Sequence, residues 1–371
     1  LQEILEFMRE GEFIAANTEV LEDQWISSWR APSNIALVKY WGKYEGQIPA
    51  NPSLSFTLSA SHTNTTTLFE KKVSGDKMPT FELLFEGKPR ADFNPKIATF
   101  LRRILPYSPW LGEYNLKIST ENSFPHSSGI ASSASSMAAL SLCITEMERK
   151  LIPSMSEGAF LRKASFLARL GSGSACRSIE GPLVSWGEHE KLTGGSDLFG
   201  TAYSGPVHEV FRDTRDTILL VHKGQKTVSS TAGHSLMNGH QYASQRFSQA
   251  HSNLSALTEV LENGDLHRFA EIVESEALSL HAMMMTSVPY YLLMKPNTLA
   301  IIEKIWEFRR STQVPVCFTL DAGANVHLLY PGTSADKVLQ FIKNELVAYC
   351  EKGQYICDAS GPGAKKLESA I

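Results

Sequence analysis

The chain has 371 residues, 43% of them hydrophobic and 20% charged, with a formal net charge of −4. That length is enough for one large core or two ordinary ones. No excess of Lys and Arg is left to follow a nucleic-acid backbone, which excludes nucleic acid as the main partner but not a small anion held by a few local cations.

Residues 1–24 read as a short amphipathic helix and a linker outside the main fold, and the acidic opening LQEILEFMREGEF lacks the pattern of a secretory leader. From Trp25 to about Leu84, β-rich segments dominate: ISSWRAP, NIALVKYWG, SLSFTLSA and TNTTTLFEKK. The last two alternate in polarity as half-buried strands do. NLKISTE at 115–121 predicts another strand, followed by a Pro-Ser-Gly loop and a small-residue helix over 132–149. A helix over 156–170 stops at Gly171, and GSGSACRS forms a second turn. LVSWGEH and DTILLVHKG predict strands on either side of a loop in which Pro206 marks a domain boundary.

The C-terminal half reads as helices over 240–262, 265–285, 297–311 and 335–350, with Asn297 and Ser334 as N-caps. VPVCFTLDAG and NVHLLYP predict strands interrupted at Ala322-Gly323-Ala324. Without a regular βα alternation, the pattern favours a two-layer α+β fold over a doubly wound parallel sheet. No apolar run approaches the roughly 20 residues of a membrane span. Cys143, Cys176, Cys317, Cys350 and Cys357 form no C-x-x-C pair, which predicts free thiols in a reducing, cytoplasmic setting.

The segment Pro125 to Ala134, PHSSGIASSA, carries the most chemistry. Its glycine and small side chains let backbone N–H groups approach a ligand, and the helix that follows offers unpaired N–H groups to phosphate oxygens. Read alone, the segment is equally an ordinary serine-rich start to a helix, and it is not a Walker A loop. The second loop, Gly171 to Ser178, adds hydroxyls and the guanidinium of Arg177, a group suited to bidentate phosphate or carboxylate recognition. Two such loops in one chain favour phosphate binding.

Lys39 and Lys43 are four residues apart in LVKYWGK, which on a strand puts both on one face. A buried Lys39 needs a carboxylate partner. Asp321, at the end of an apolar strand and followed by Ala-Gly-Ala, is the best candidate, either as a general base or as a turn-former bonding its own backbone. Spacing alone does not bring it to Lys39. The sequences around Ser235 and Ser174 fail the nucleophile-elbow pattern, His189-Glu190 and His208-Glu209 lack a second zinc-binding His, and no dinucleotide fingerprint follows a strand.

Taken together, APSNIALVKYWGK, NPSLSFTLS, ENSFPHSSGIASSASSMAAL, GSGSACRSIEGPLVSW, KTVSST and FTLDAGANVHLLY resemble the motifs of the mevalonate diphosphate decarboxylase family, in the GHMP small-molecule kinase superfamily. The resemblance runs from about Trp29 to Pro362. It implies an N-terminal domain like ribosomal protein S5 domain 2 over 25–206 and a C-terminal GHMP domain over 207–371, with the active site in a cleft between them.

The resemblance also implies that Ser127, Ser128, Gly129, Ala131, Ser132 and Ser133 hold ATP, with Ser133 toward Mg2+. It assigns Tyr40, Lys43, Ser172, Ser174, Arg177 and Ser230 to mevalonate 5-diphosphate, and Asp321, Lys39 and Arg177 to catalysis. A homodimer is expected on the same ground. The sequence departs from the family pattern at Pro52, Ser127, Ser128, His234 and His327, the fourth standing where methionine is common. Rival readings are a decarboxylase of mevalonate 5-phosphate, a kinase that stops at the phosphorylated product, and a binding protein without catalysis.

Overall fold

The protein's structure is a computed structural model describing residues 10–16, 22–73, 77–125, 130–224, 228 and 230–368. Among the described residues, two sheets carry the fold. The first contains β1 (Gln24–Val38), β2 (Ser53–Lys71), β3 (Thr80–Phe85), β4 (Lys88–Pro89), β5 (Tyr114–Asn122), β6 (Leu183–Trp186), β7 (Thr201–Ala202) and β12 (Lys365–Lys366), and its main path runs β12-β1-β2-β5-β3-β4. The β3–β5 pairing is parallel and its neighbours are antiparallel. The second is antiparallel in the order β11-β8-β10-β9, from β8 (Thr214–Leu219), β9 (Cys317–Thr319), β10 (Val326–Pro331) and β11 (Tyr355–Ala359). The helices are α1 (Asn94–Ile104), α2 (Ser132–Leu151), α3 (Glu157–Gly171), α4 (Ser230–Ser235), α5 (Ala243–Asn263), α6 (Leu266–Met285), α7 (Pro296–Thr312) and α8 (Ala335–Phe341).

β2 joins two predicted strands into one. Residues 53–58 are buried throughout, 59 and 60 are exposed, and residues 61–70 alternate buried and half-buried, as a strand with one covered face does. Between the halves the partner changes from β6 to β5. α2, built from Ser, Ala and Leu, is buried on nearly every side against β1 and β2, because small side chains permit close approach. Phe69, Leu116, Phe100, Leu140 and Phe166 belong to the core beneath it. A second core mixes Ile35 and Phe56 of the first sheet with Ile218, Leu254 and Phe269, so apolar packing is continuous between the two halves of the chain.

Several expectations are corrected. Lys39 and Lys43 do not share a strand face: β1 ends at Val38, the backbone turns at Gly42 (φ +100°), and Lys43 makes only an isolated bridge to Pro49. The helix predicted over 335–350 stops at Phe341 and continues as a π-turn and a 3-10 turn. Ser334 makes no side-chain cap, and α7 is capped from Lys295 with Pro296 at its first turn, which leaves Asn297 inside the helix bonded to the Tyr349 carbonyl (3.0 Å). Nor is the N-terminal segment wholly outside the fold, because Phe13 joins the first core and Gln24 begins β1. No strand or helix is expected from the sequence at β3, β4, β7, β11, β12, α1 or α4.

Candidate active site

The loops and strand ends converge on a cleft of about 670 Å³ lined from both halves of the chain. That size suits a small-molecule ligand. Lys39 follows the end of β1, and Asp321 sits in the connection between β9 and β10. Lys39 Nζ lies 2.9 Å from Asp321 Oδ1, with the lysine 2% exposed and the aspartate side chain 25% exposed. The lysine backbone is fixed as well. Its N–H donates to Glu276 Oε2 (2.8 Å), and its carbonyl accepts from Asn51 Nδ2 (3.0 Å) and Arg246 Nη2 (3.3 Å). Arg246 and Glu276 form a buried ion pair at 2.5 Å between α5 and α6. With the backbone N–H and carbonyl engaged, the ammonium is held against Asp321, which itself lines the cleft.

Arg177 is 2% exposed and donates to Ser55 Oγ (2.5 Å), Ser53 Oγ (2.7 Å) and Asn34 Oδ1 (3.4 Å). Burial pulls its pKa below the usual value, opposed by Cys176, Asp321 and Tyr40. Hydroxyls and an amide orient this guanidinium without neutralising it, so it presents positive charge to the cleft. Ser172 and Ser174 line the same wall, where α3 ends. A side chain at Gly171 would meet Met137 Sδ at 2.7 Å, and one at Gly173 would meet Tyr40 Oη at 2.7 Å, so close approach explains both glycines. Tyr40 packs on Trp186 at 4.6 Å, and burial raises its phenol pKa further. Ser230 begins α4 and also lines the cleft.

Sequence reasoning missed α1. Its residues Lys96, Thr99, Phe100 and Arg103 all line the cleft. They follow the i, i+3, i+4, i+7 rhythm of one helix face, which was the available signal. Desolvation, then Arg103, lowers the Lys43 pKa; desolvation, then Lys43, brings Lys96 down to about 8, although much of the Lys96 stem is exposed. Among the described residues lining the cleft, Asp321 is the one carboxylate, facing Lys39, Lys43, Lys96, Arg103 and Arg177. The local field therefore favours a highly anionic ligand despite the chain's net negative charge.

His234 was singled out only as a departure from a familiar pattern. It is 7% exposed, with its ring against Tyr40 (4.3 Å) and Trp41 (4.5 Å), and its Nδ1 accepts from Gly42 N–H (3.0 Å). Burial first, then Lys43 and Arg177, drives its pKa down to about 3. The imidazole is neutral, with its proton on Nε2. His327, by contrast, lies away from the cleft lining, paired with Asp216 at 2.8 Å in the buried second sheet.

Ala131, Ser132 and Ser133 line the cleft at the start of α2, with Ala131 in the left-handed region (φ +45°) and Ser133 Oγ accepting from Lys96 Nζ (2.8 Å). Ser127, Ser128 and Gly129 lie outside the described residues, as do Lys226, Thr227 and Ser229 of the KTVSST motif. Among the described residues no group of three or more His, Cys, Asp or Glu could cage a metal. A hydroxyl at a helix start beside several cations fits magnesium carried by a nucleotide, since that ion keeps few protein ligands and takes phosphate oxygens.

A two-half α+β molecule with a cationic cleft and one lysine-paired aspartate is the GHMP kinase class of fold. Residues 31–199 match the diphosphomevalonate decarboxylase-like N-terminal domain, and residues 217–368 match the mevalonate 5-diphosphate decarboxylase C-terminal domain. The diphosphomevalonate decarboxylase mvd1 of Aspergillus fumigatus is 32% identical over 332 residues, covering 84% of this chain and 78% of that protein. A solved structure of MDDEF in complex with MVAPP, AMPPCP and magnesium is 28% identical, with a TM-score of 0.79 over 93% of this chain and all of the other. Another, of the mevalonate diphosphate decarboxylase from Enterococcus faecalis, is 27% identical, with a TM-score of 0.77 over 93% of this chain and 100% of that one. The chain belongs to the diphosphomevalonate decarboxylase family.

Proposed function

We propose that this cleft performs the ATP-dependent decarboxylation of mevalonate 5-diphosphate to isopentenyl diphosphate, releasing ADP, phosphate and carbon dioxide, with Asp321 as the base. The observation that carries the reading is the 2.9 Å Lys39–Asp321 pair inside a cleft whose other charged lining residues, among those described, are all cations. The substrate's tertiary C3 hydroxyl is a poor leaving group. Asp321 accepts its proton as the oxygen takes the γ-phosphoryl group of ATP, while Lys39 keeps the carboxylate oriented and ionised. The C3–O bond then breaks toward the new phosphate, and the electrons of the carboxylate-bearing bond become the C2–C3 double bond. Magnesium, when bound, neutralises phosphate charge during the transfer.

The remaining roles follow from charge and position. Arg177, Lys43, Tyr40, Ser172, Ser174 and Ser230 hold the diphosphate and carboxylate of the substrate. Lys96, Arg103 and the start of α2 face the nucleotide phosphates, with Ser133 toward magnesium. The gap between the two family matches, residues 200–216, supports a domain boundary near residue 206. The five cysteines are unpaired, which supports a cytoplasmic protein. Among the described residues no helix is long and apolar enough to cross a membrane. The family resemblance supports a homodimer.

The test is incubation with Mg-ATP and mevalonate 5-diphosphate, following ADP, phosphate and carbon dioxide together. Equal yields of all three are expected. ADP without carbon dioxide would reassign the protein as a kinase, and turnover only with mevalonate 5-phosphate would reassign its substrate.

A further inference from the structure

The N-terminal family match begins at residue 31, yet residues 10–16 are built into the molecule. Phe13 is 5% exposed and stacks on Phe166 at 4.1 Å. The Ala15 N–H donates to the Tyr107 carbonyl (2.8 Å), and Lys163 donates to the Phe13 carbonyl. These contacts fix Glu10, whose Oε1 lies 3.0 Å from Nη2 of Arg169 and whose other oxygen accepts from the Tyr107 hydroxyl. Arg169 is 0% exposed. Burial lowers its pKa, and Glu10 is the first group opposing that.

The other nitrogens of Arg169 hold two backbone carbonyls, one of them next to the cleft-lining Gln47. Nε donates to the Leu198 carbonyl (2.7 Å), and Nη1 donates to the carbonyl of Gly46. Gly46 (φ +64°) and Gln47 (φ +66°) are both left-handed, a conformation uncommon for a residue with a side chain. Gln47 Oε1 in turn accepts from Lys43 Nζ (2.6 Å), and both residues line the cleft.

We infer that Glu10 is a positioning residue for the substrate: through Arg169 it fixes the turn at residues 45–47 and thereby the Gln47–Lys43 pair that meets the substrate's anionic end. The inference rests on the reading of Lys43 as a substrate contact. A buried guanidinium deprived of its carboxylate must find another partner or admit water. Either change releases the Gly46 carbonyl and the left-handed turn behind Lys43. The reacting pair Lys39–Asp321 is held by different residues, so the effect falls on substrate affinity rather than on the chemical step.

The experiment is steady-state kinetics on the full chain with Glu10→Gln, Gln47→Ala, the double variant and Lys43→Met. Glu10→Gln should raise KM for mevalonate 5-diphosphate about tenfold, leaving kcat within about twofold and KM for ATP unchanged. Gln47→Ala should do the same, and the double variant should be no worse than Gln47→Ala alone, because both act through one contact chain. Should Glu10→Gln fail to fold, Glu10→Asp, which keeps the charge but shortens the reach, should still raise KM. An unchanged KM in the Glu10 variant, or effects that multiply in the double variant, would overturn the proposal. A rise with Lys43→Met but not with Glu10→Gln would overturn it alone. No rise with Lys43→Met would overturn the substrate reading of Lys43 and the proposal with it.

Discussion

Lys39 is only 2% exposed, and its Nζ sits 2.9 Å from the Asp321 carboxylate. His234, in the same wall, is a buried ring with no carboxylate beside it among the described residues. Its imidazole has an ordinary pKa of 6.5 and is driven to about 3 by burial beside Lys43 and Arg177. The unfolded chain therefore binds the proton first. The stability contributed by the neutral ring is complete above about pH 6.5 and is lost on acidification toward pH 3, at about 1 kcal/mol per pH unit. His234→Met should remove that slope, so that its melting temperature falls less than wild type between about pH 7 and pH 4. Parallel curves would mean that His234 is not held neutral. Lys96, at about 8, loses charge as the solution turns alkaline. KM for ATP should rise above about pH 8, a rise that Lys96→Arg should abolish because the guanidinium stays charged; an unchanged profile would remove Lys96 from the nucleotide site.

At the scale of elements, the end of β1 is clamped by α5 and α6 through the Arg246–Glu276 pair, both residues essentially unexposed. Removing one partner leaves a buried charge. Arg246→Met alone should destabilise by about 3–5 kcal/mol, and adding Glu276→Gln should recover part of that loss. Chemical denaturation measures both. A single variant as mild as the double would show that the pair does not act as a unit.

Little of this clamp was legible in the sequence, because Arg246 and Glu276 lie on separate helices and only the fold brings them to Lys39. The glycine-serine turn after α3 and the strand-end Asp321 were legible, since small residues and a break in an apolar run mark close approach locally. α1 was half-legible. Its cleft face shares Phe100 with the core, which also takes Ile97, Leu101 and Ile104. Lys96 and Arg103 thus look like ordinary solvated cations at the edge of an apolar stripe. The strand-face argument for Lys39 and Lys43 fails because β1 ends at Val38, before Lys39, and the positive φ at Gly42 turns the chain again before Lys43.

Across the whole molecule, carboxylates of the C-terminal half satisfy backbone N–H groups in and just beyond the strands of the first sheet. Glu276 does so for Lys39, and Asp358 of β11 accepts from the N–H groups of Ser59 (3.0 Å), Ala60 (2.8 Å) and Ser61 (2.7 Å), where β2 changes partners. The chain then continues back across the first sheet, with the Gly361 N–H on the Thr57 carbonyl (2.8 Å) and β12 paired to β1. Asp358→Ala strands those donors in a bend where Ser61 is buried and Ser59 and Ala60 are exposed, and should cost about 1–3 kcal/mol. An unchanged denaturation midpoint would mean that the bend holds itself.

The central claim is that Asp321, held by Lys39, makes the substrate hydroxyl reactive in a cleft that binds its ligands by other residues. A single-turnover experiment on Asp321→Asn, with ligand binding followed by calorimetry, tests it most directly. The account predicts that ADP and carbon dioxide both appear at least about 100-fold more slowly than in wild type, while mevalonate 5-diphosphate and the nucleotide still bind. ADP and carbon dioxide released at close to the wild-type rate would contradict it.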